Sequence, residues 1–411
     1  MKVTYLSLIL LAGLGFAACK KKGCTDPTAD NYSEKAKKDD GSCTYTLPTY
    51  DTQIEQIKAT YADMAFAVYE DSYNKAVELQ TAIHAFVNTP SQAGFDAAKQ
   101  AWLDAREPYG QSEIFRFVEG PIDNSADGPE GLINAWPMDE AYVDYVDGSP
   151  NAGIINDPTT YPTIDEITLV TANENGGEEN ISVGYHAIEF LLWGQDTSAT
   201  SAGNRQYTDY VTGSGGTATN QDRRGQYLTL CADLLVTALE QVKDAWDPAN
   251  SGNYRATWLG MDNSTALRKI INSIRVMAGT ELSGERIYTA YDNMDQEDEH
   301  SCFSDNTHRD IILNAEGISN LYRGTYTRVS GTVVSGYGLE DLVNEVSSTQ
   351  NTQMINQLNI TETKVNSLYI PFDQAIILPA ERPKVLDAVN SLVEEKVIIL
   401  DIASDNFNIH F

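Results

Sequence analysis

The run GYHAIEFLLWG at positions 184–194 constrains this chain more than any other stretch. Ile188, Phe190, Leu191, Leu192 and Trp193 spread around a helix rather than along one stripe, so the helix is expected to be buried on nearly all sides. It nevertheless carries His186 and Glu189, three residues apart and therefore on one face. An ionisable pair in an apolar interior is costly unless something partners it. A metal ion, or a polar network standing in for one, is the natural partner.

The rest of the sequence is patterned as helix. Ile54, Ile57, Tyr61, Met64 and Val68 open a long helical spacing from Tyr50 to Asn88, which Thr89-Pro90 should end. Ser91 is placed to cap the next helix, through Phe95, Ala98 and Trp102, and Pro108 should end or kink it before a further helical run, Gln111 to Val118. Residues 119–178, rich in Gly, Pro, Asn and Asp, predict short helices and turns. Helices are expected again at Gln226–Trp246, Asn263 to about Met294, Asp305–Leu321, Glu340–Val346, Thr349–Leu368 and Arg382–Ile402. Few stretches alternate as strands do. The fold reads as all-α, with two helical groups, residues 48–205 and 206–411, joined near 200–222; such bundles build sites from facing helices.

The first residues read as a processing signal. Lys2 precedes a mostly apolar run too short to span a bilayer, and Phe16-Ala17-Ala18-Cys19 resembles a lipobox. Residues 1–18 are thus expected to be a lipoprotein signal peptide and Cys19 the lipidated residue, giving an exported cell-envelope protein held to the outer membrane by lipid, on its periplasmic or surface face. In residues 19–47, Cys24 and Cys43 bracket a polar segment with no core of its own, and an oxidising compartment favours a disulfide between them. Calcium is conceivable at residues 24–43, although the spacing is not that of an EF-hand loop. The spacing of Cys231 and Cys302 does not decide whether they pair. The net charge of −31 excludes nucleic acid as a partner.

Three further stretches carry chemistry. In AREPYGQSEIFRF, Arg106, Glu113 and Arg116 sit among aromatic and apolar residues, as a helix-stitching ion pair or part of a site. In NAWPMDEAY, Trp136 and Pro137 are expected to pack a loop, and Asp139 to cap a short helix running to Val146. In DQEDEHSCFSDNTH, Glu299, His300 and Ser301 could complete a metal shell, or form a solvated acidic turn with Ser304 or Asp305 capping the next helix. Before that turn, Glu281, Glu285, Tyr288 and Asp292 would form one polar helical stripe. A lone HxxE lacks the second histidine of the zinc-protease motif HExxH.

Together, GYHAIEFLLWGQD, AREPYGQSEIFRF, INAWPMDEAYVD and DQEDEHSCFSDNTH resemble the imelysin family of insulin-cleaving membrane peptidase-like proteins, over roughly residues 50–402. The resemblance implies two bundle-like helical halves with the site near their interface, and an exported protein tied to iron acquisition. Its GxHxxE motif places Gly184, His186 and Glu189 at the site, with His186 and Glu189 as metal ligands and Gly184 allowing close approach of another helix. Glu113, Glu299 and His300 are further candidate ligands, and Arg106 and Ser301 candidate supports, by inference rather than motif transfer. The leading expectation is a lipid-anchored protein that binds a metal, iron before zinc, and passes it to an uptake transporter or receptor. One alternative is a zinc peptidase with Glu189 as catalytic base. The other is a metal-free adhesion or scaffold protein.

Overall fold

The long spacing of buried residues from Ile54 to Phe86 becomes one helix, α1 (Asp51–Asn88), in the computed structural model of the protein, which describes residues 21–25, 27, 31–42 and 49–411. After Thr89-Pro90, the Ser91 hydroxyl accepts from the Gly94 N–H at 3.2 Å and starts α2 (Gln92–Ser112). Pro108 does not end α2, as the sequence suggested it should. It falls near the helix end, where one missing donor is outweighed by the burial of Ala105, Arg106 and Tyr109. Beyond α2 the expected run to Val118 shrinks to a single 3₁₀ turn, Glu113–Phe115.

Residues 119–178 form the short pieces anticipated: α3 (Glu130–Ile133), α4 (Glu140–Val143), α5 (Gly153–Asn156) and α6 (Glu166–Ala172). Asp139 does cap α4, accepting from Ala141 N–H, but the helix stops at Val143 rather than Val146. Next come α7 (Gly184–Trp193), α8 (Gln221–Trp246), α9 (Tyr254–Leu259) and α10 (Asn263–Val276). The single helix expected to Met294 is instead three: α10, a π-helical segment Met277–Tyr288, and α11 (Thr289–Asn293). Wider winding replaces the expected stripe, and Glu281 meets Arg286, five residues on, at 3.0 Å.

The chain continues through α12 (Thr307–Arg323), a hairpin of β1 (Thr325–Thr327) and β2 (Val333–Ser335), and α13 (Leu339–Val346), α14 (Ser348–Val365), α15 (Phe372–Ile377) and α16 (Arg382–Phe407). The hairpin pairs Tyr326 with Val334 and is pinned to α1 by the Tyr326 hydroxyl, which donates to Asp71 at 2.9 Å. The architecture is all-α apart from that ribbon.

Residues Asp51–Phe411 form one unit and Met1–Tyr50 another. Within the larger unit, α1 packs along α2 and α8, while α16 packs on α14, α10 and the π-helical segment. α2 also touches α7 and α12, and so stands between the two groups. Aromatic rings fill one end of the core: Tyr61 stacks on Trp258 at 4.2 Å and meets Phe115 edge-on at 4.9 Å. Cys231 and Cys302 are both buried and unpaired.

In the smaller unit, Lys22 bridges to Lys38, and the Asp39 and Asp40 carboxylates accept from the backbone N–H groups of Gly41 and Ser42, as turn acceptors do. Cys24 is disulfide-bonded. Cys43, Cys19 and the 1–18 signal segment lie outside the described residues. Among the described residues, no helix is long and apolar enough to cross a membrane.

Candidate functional site

Every residue of α7 from Gly184 to Trp193 is buried, as its all-round apolar pattern requires. Gly184 opens the helix at φ +91°, in the left-handed region that side chains avoid. A Cβ there would lie 2.7 Å from the Ile133 carbonyl oxygen. The absent side chain thus lets the end of α3 press against the start of α7, and the next residue, Asn134, enters the site.

On α7, His186 Nδ1 lies 3.1 Å from Glu189 Oε2, with both side chains almost wholly inaccessible. The other Glu189 oxygen accepts from Ser304 twice, from its N–H at 3.0 Å and its hydroxyl at 2.6 Å. Both carboxylate oxygens are therefore engaged, whereas His186 Nε2 has no hydrogen-bond partner. Burial pushes the His186 imidazole down to about 3, and the Arg106 charge adds to that. Burial also pushes the Glu189 carboxyl up to about 8, against the Ser304 bonds.

Against His186 stands His300, ring centroids 4.7 Å apart and nearly perpendicular. His300 Nδ1 faces Asp310 Oδ2 at 2.9 Å. An ionised carboxylate only accepts, so Nδ1 carries the proton and Nε2 presents a lone pair, with Asn134 Nδ2 3.4 Å away. Burial and the Arg286 charge hold His300 down to about 3, so this imidazole is neutral as well. Asp310 also takes the Ser301 hydroxyl and Arg106, whose Nη2 donates at 3.1 Å. Burial opposes the Asp310 charge, but Arg106 and His300 prevail and hold the carboxyl far below the usual range.

Arg106 is fully buried over the Tyr185 ring, 5.0 Å from its centroid, and donates to Asn134 Oδ1. Asn134 links this cluster to a second ion group at 3.4 Å from Glu113. Glu113 pairs with Arg286 and accepts from Asn314 at 3.1 Å. Burial resists its ionisation, yet Arg286 and Arg116 bring it down to about 2. Each carboxylate of the site thus has its partners, while one imidazole nitrogen, His186 Nε2, is left open. A cavity of about 190 Å³ reaches His300 and Asn134 from outside, and its carboxylates, among them Glu174, Glu178 and Glu285, outnumber its two arginines, Arg116 and Arg286. Acidic walls concentrate cations at such an entrance.

The structure therefore gathers Gly184, His186, Glu189, His300, Arg106 and Ser301. Glu113 reaches them only through Asn134 and is committed to arginine. Glu299 turns away from its neighbour His300 and lies against Asp373. The next helix is not capped by Ser304 or Asp305: Asn306 holds the cap position of α12 without a side-chain bond, and Ser304 serves Glu189 instead. Sequence does not single out Asp310, Asn314 or Arg286, and it offers Ser304 only as a helix cap. Asp310 and Asn314 sit at i and i+4 among the buried apolar residues of α12, the one signal that could have marked them.

Together these define a helical-bundle protein with a buried histidine–carboxylate centre at the meeting of α2, α7 and α12. Residues 65–399 match the Imelysin family model, and the chain belongs to that family. It is 26% identical over 256 residues to iron-regulated protein A of Synechococcus elongatus, an alignment covering 61% of this chain and 58% of that protein. The chain thus spans a little over half the length of that curated relative. Its fold is similar to that of an iron-regulated protein A precursor from Parabacteroides distasonis, with TM-score 0.65 and 18% identity over 86% of this chain and 95% of that one. It is also similar to an imelysin-like protein from Psychrobacter arcticum, with TM-score 0.60 and 12% identity over 89% and 98% of the two chains.

Proposed function

We propose that this protein acts in iron handling in the cell envelope and that His186 Nε2 is the atom that takes the metal. The observation carrying the proposal is that orphaned, buried nitrogen beside an engaged carboxylate. A metal-binding imidazole commonly donates its other N–H to a carboxylate, which fixes ring and tautomer. Glu189 suits that orienting role, because Ser304 and His186 already use its oxygens. His300 Nε2, held only by a long contact from Asn134 Nδ2 at 3.4 Å, would supply a second imidazole lone pair on giving up that contact, and imidazole suits iron. Two nitrogen donors leave positions for other ligands, as capture and release require. The iron-linked name of the similar Synechococcus elongatus protein favours iron over zinc. The lipobox at Cys19 points to export and a lipid anchor, and an uptake transporter is the natural recipient.

A peptidase needs a carboxylate free to take a proton from water. Glu189 has no free oxygen, so the peptidase reading is weaker than the iron one. The test is iron and zinc titration of the full chain beside His186→Ala. Tight iron binding lost in the variant supports the proposal; equal binding by both proteins overturns it. Cleavage of a peptide library, abolished by chelator and by Glu189→Gln, would establish the peptidase instead.

A further inference from the structure

We infer that a second, oxygen-lined cation site, distinct from the histidine centre, is formed by Asp196, Asp305 and Asp373 with Glu299, and that its occupant is a hard divalent cation of calcium's size. Asp196 follows α7, Asp305 lies in the loop before α12, and Asp373 opens α15. One carboxylate oxygen from each of the three lies within 4.8 Å of the other two. That span is about the diameter of a calcium coordination sphere, with oxygens at roughly 2.4 Å from the ion.

A cluster of acids alone would say little, but three of these acids are buried and all four keep at least one carboxylate oxygen without a donor. Asp196, Asp373 and Glu299 are 3%, 2% and 0% exposed. Asp196 Oδ2, Asp305 Oδ1, both oxygens of Asp373 and both of Glu299 lack a hydrogen-bond donor. No lysine, arginine or histidine forms an ion pair with any of the four among the described residues. The contrast with the histidine centre is sharp. There each buried carboxylate has its arginine or its hydroxyl; here carboxylates face one another. Burial, then the charges of Asp373 and Asp196, push Asp305 up to about 7. Buried charge of one sign calls for a cation or for protons.

The surrounding chain is already shaped to hold the group. Gln296 donates to the Asp196 carbonyl at 2.9 Å, Gln374 to the Ala199 carbonyl, and Gly203 N–H to the Phe303 carbonyl at 2.9 Å. These bonds tie the loop after α7 to the loop before α12 and to α15 without using the carboxylates. The donors are oxygens only, which favours calcium over softer metals, and the burial separates this group from the exposed acids of residues 31–42.

The experiment is calcium titration of the full chain by calorimetry, beside Asp373→Asn, Asp196→Asn and His186→Ala. The result expected is one calcium per chain in the parent and in His186→Ala, with affinity at least tenfold weaker in the two Asn variants. Their retained residues 31–42 exclude that segment as the source. Thermal midpoint of the parent in calcium against chelator gives a second reading that needs no variant: it should rise with calcium concentration, and less with magnesium. No calcium-dependent rise, or unchanged binding in Asp373→Asn, overturns the site and leaves a proton shared between Glu299 and Asp373. Iron binding at His186 is unaffected by either outcome, so the two proposals fail separately.

Discussion

Replacing Gly184 by alanine tests whether the site depends on the close approach of α3. Two costs add at this position. The backbone sits at φ +91°, where a side chain costs about 1–3 kcal/mol. The new Cβ would also stand 2.7 Å from Ile133 O and 3.0 Å from Ile133 C, both backbone atoms that cannot swing aside. Forcing them apart is an overpacking change of about 1–3 kcal/mol. The sum is about 2–6 kcal/mol, a large share of the 5–15 kcal/mol that typically stabilises a domain. Gly213 supplies the control. It has φ +88°, but a Cβ there meets nothing within 4 Å, so Gly213→Ala carries the backbone cost alone. Urea denaturation followed by far-ultraviolet circular dichroism gives both differences at constant slope. Gly184→Ala should exceed Gly213→Ala by about 1–3 kcal/mol. Equal losses would refute the reasoning, showing that only backbone conformation matters and that α3 does not need the missing side chain.

Asp310→Asn leaves the Arg106 guanidinium buried without its carboxylate, and should cost about 3–5 kcal/mol in the same assay. Adding Arg106→Met should recover part of that loss, because the uncompensated charge is then gone; no recovery would mean that shape, not charge, is at issue. Glu395, 1% exposed, is pushed up to about 8 by burial. Its folded carboxyl holds a proton that the unfolded chain gives up near the ordinary value. The contribution to stability is therefore complete below about 4.5, declines by about 1.4 kcal/mol per pH unit above it, and levels off above about 8. Glu395→Gln removes this dependence, so thermal melts should show the variant gaining on the parent from pH 5 to pH 8; a constant gap would refute the assignment.

Much of the fold was legible because helical periodicity is local. The boundaries of α1, the Ser91 cap and the Asp139 cap follow from residues within a few positions of each other. What sequence spacing missed depends on distant contacts. Pro108 looked like a terminator, but packing of α2 against α1, α7 and α12 overrides a single lost donor. The π-helical winding of Met277–Tyr288 is invisible to a 3.6-residue period, and it regroups Glu281 with Arg286. At the site, the His186–Glu189 pairing was readable from i, i+3 spacing, whereas Ser304 reaches Glu189 across 115 positions. Adjacency in sequence groups Glu299 with His300. Neighbouring side chains outside a helix point apart, and these two serve different clusters.

The two buried thiols carry a consequence of a different kind. Cys24 is already oxidised, so Cys231 and Cys302 are the free cysteines among the described residues. Burial pushes both thiols well up, which keeps them unreactive while the fold is closed. One sits in the middle of α8, the other in the turn between Ser301 and Ser304. An alkylating reagent therefore meets two internal clocks, one timing the opening of α8 and one timing the turn beside the histidines. If the turn is how cargo comes and goes, Cys302 will tick first.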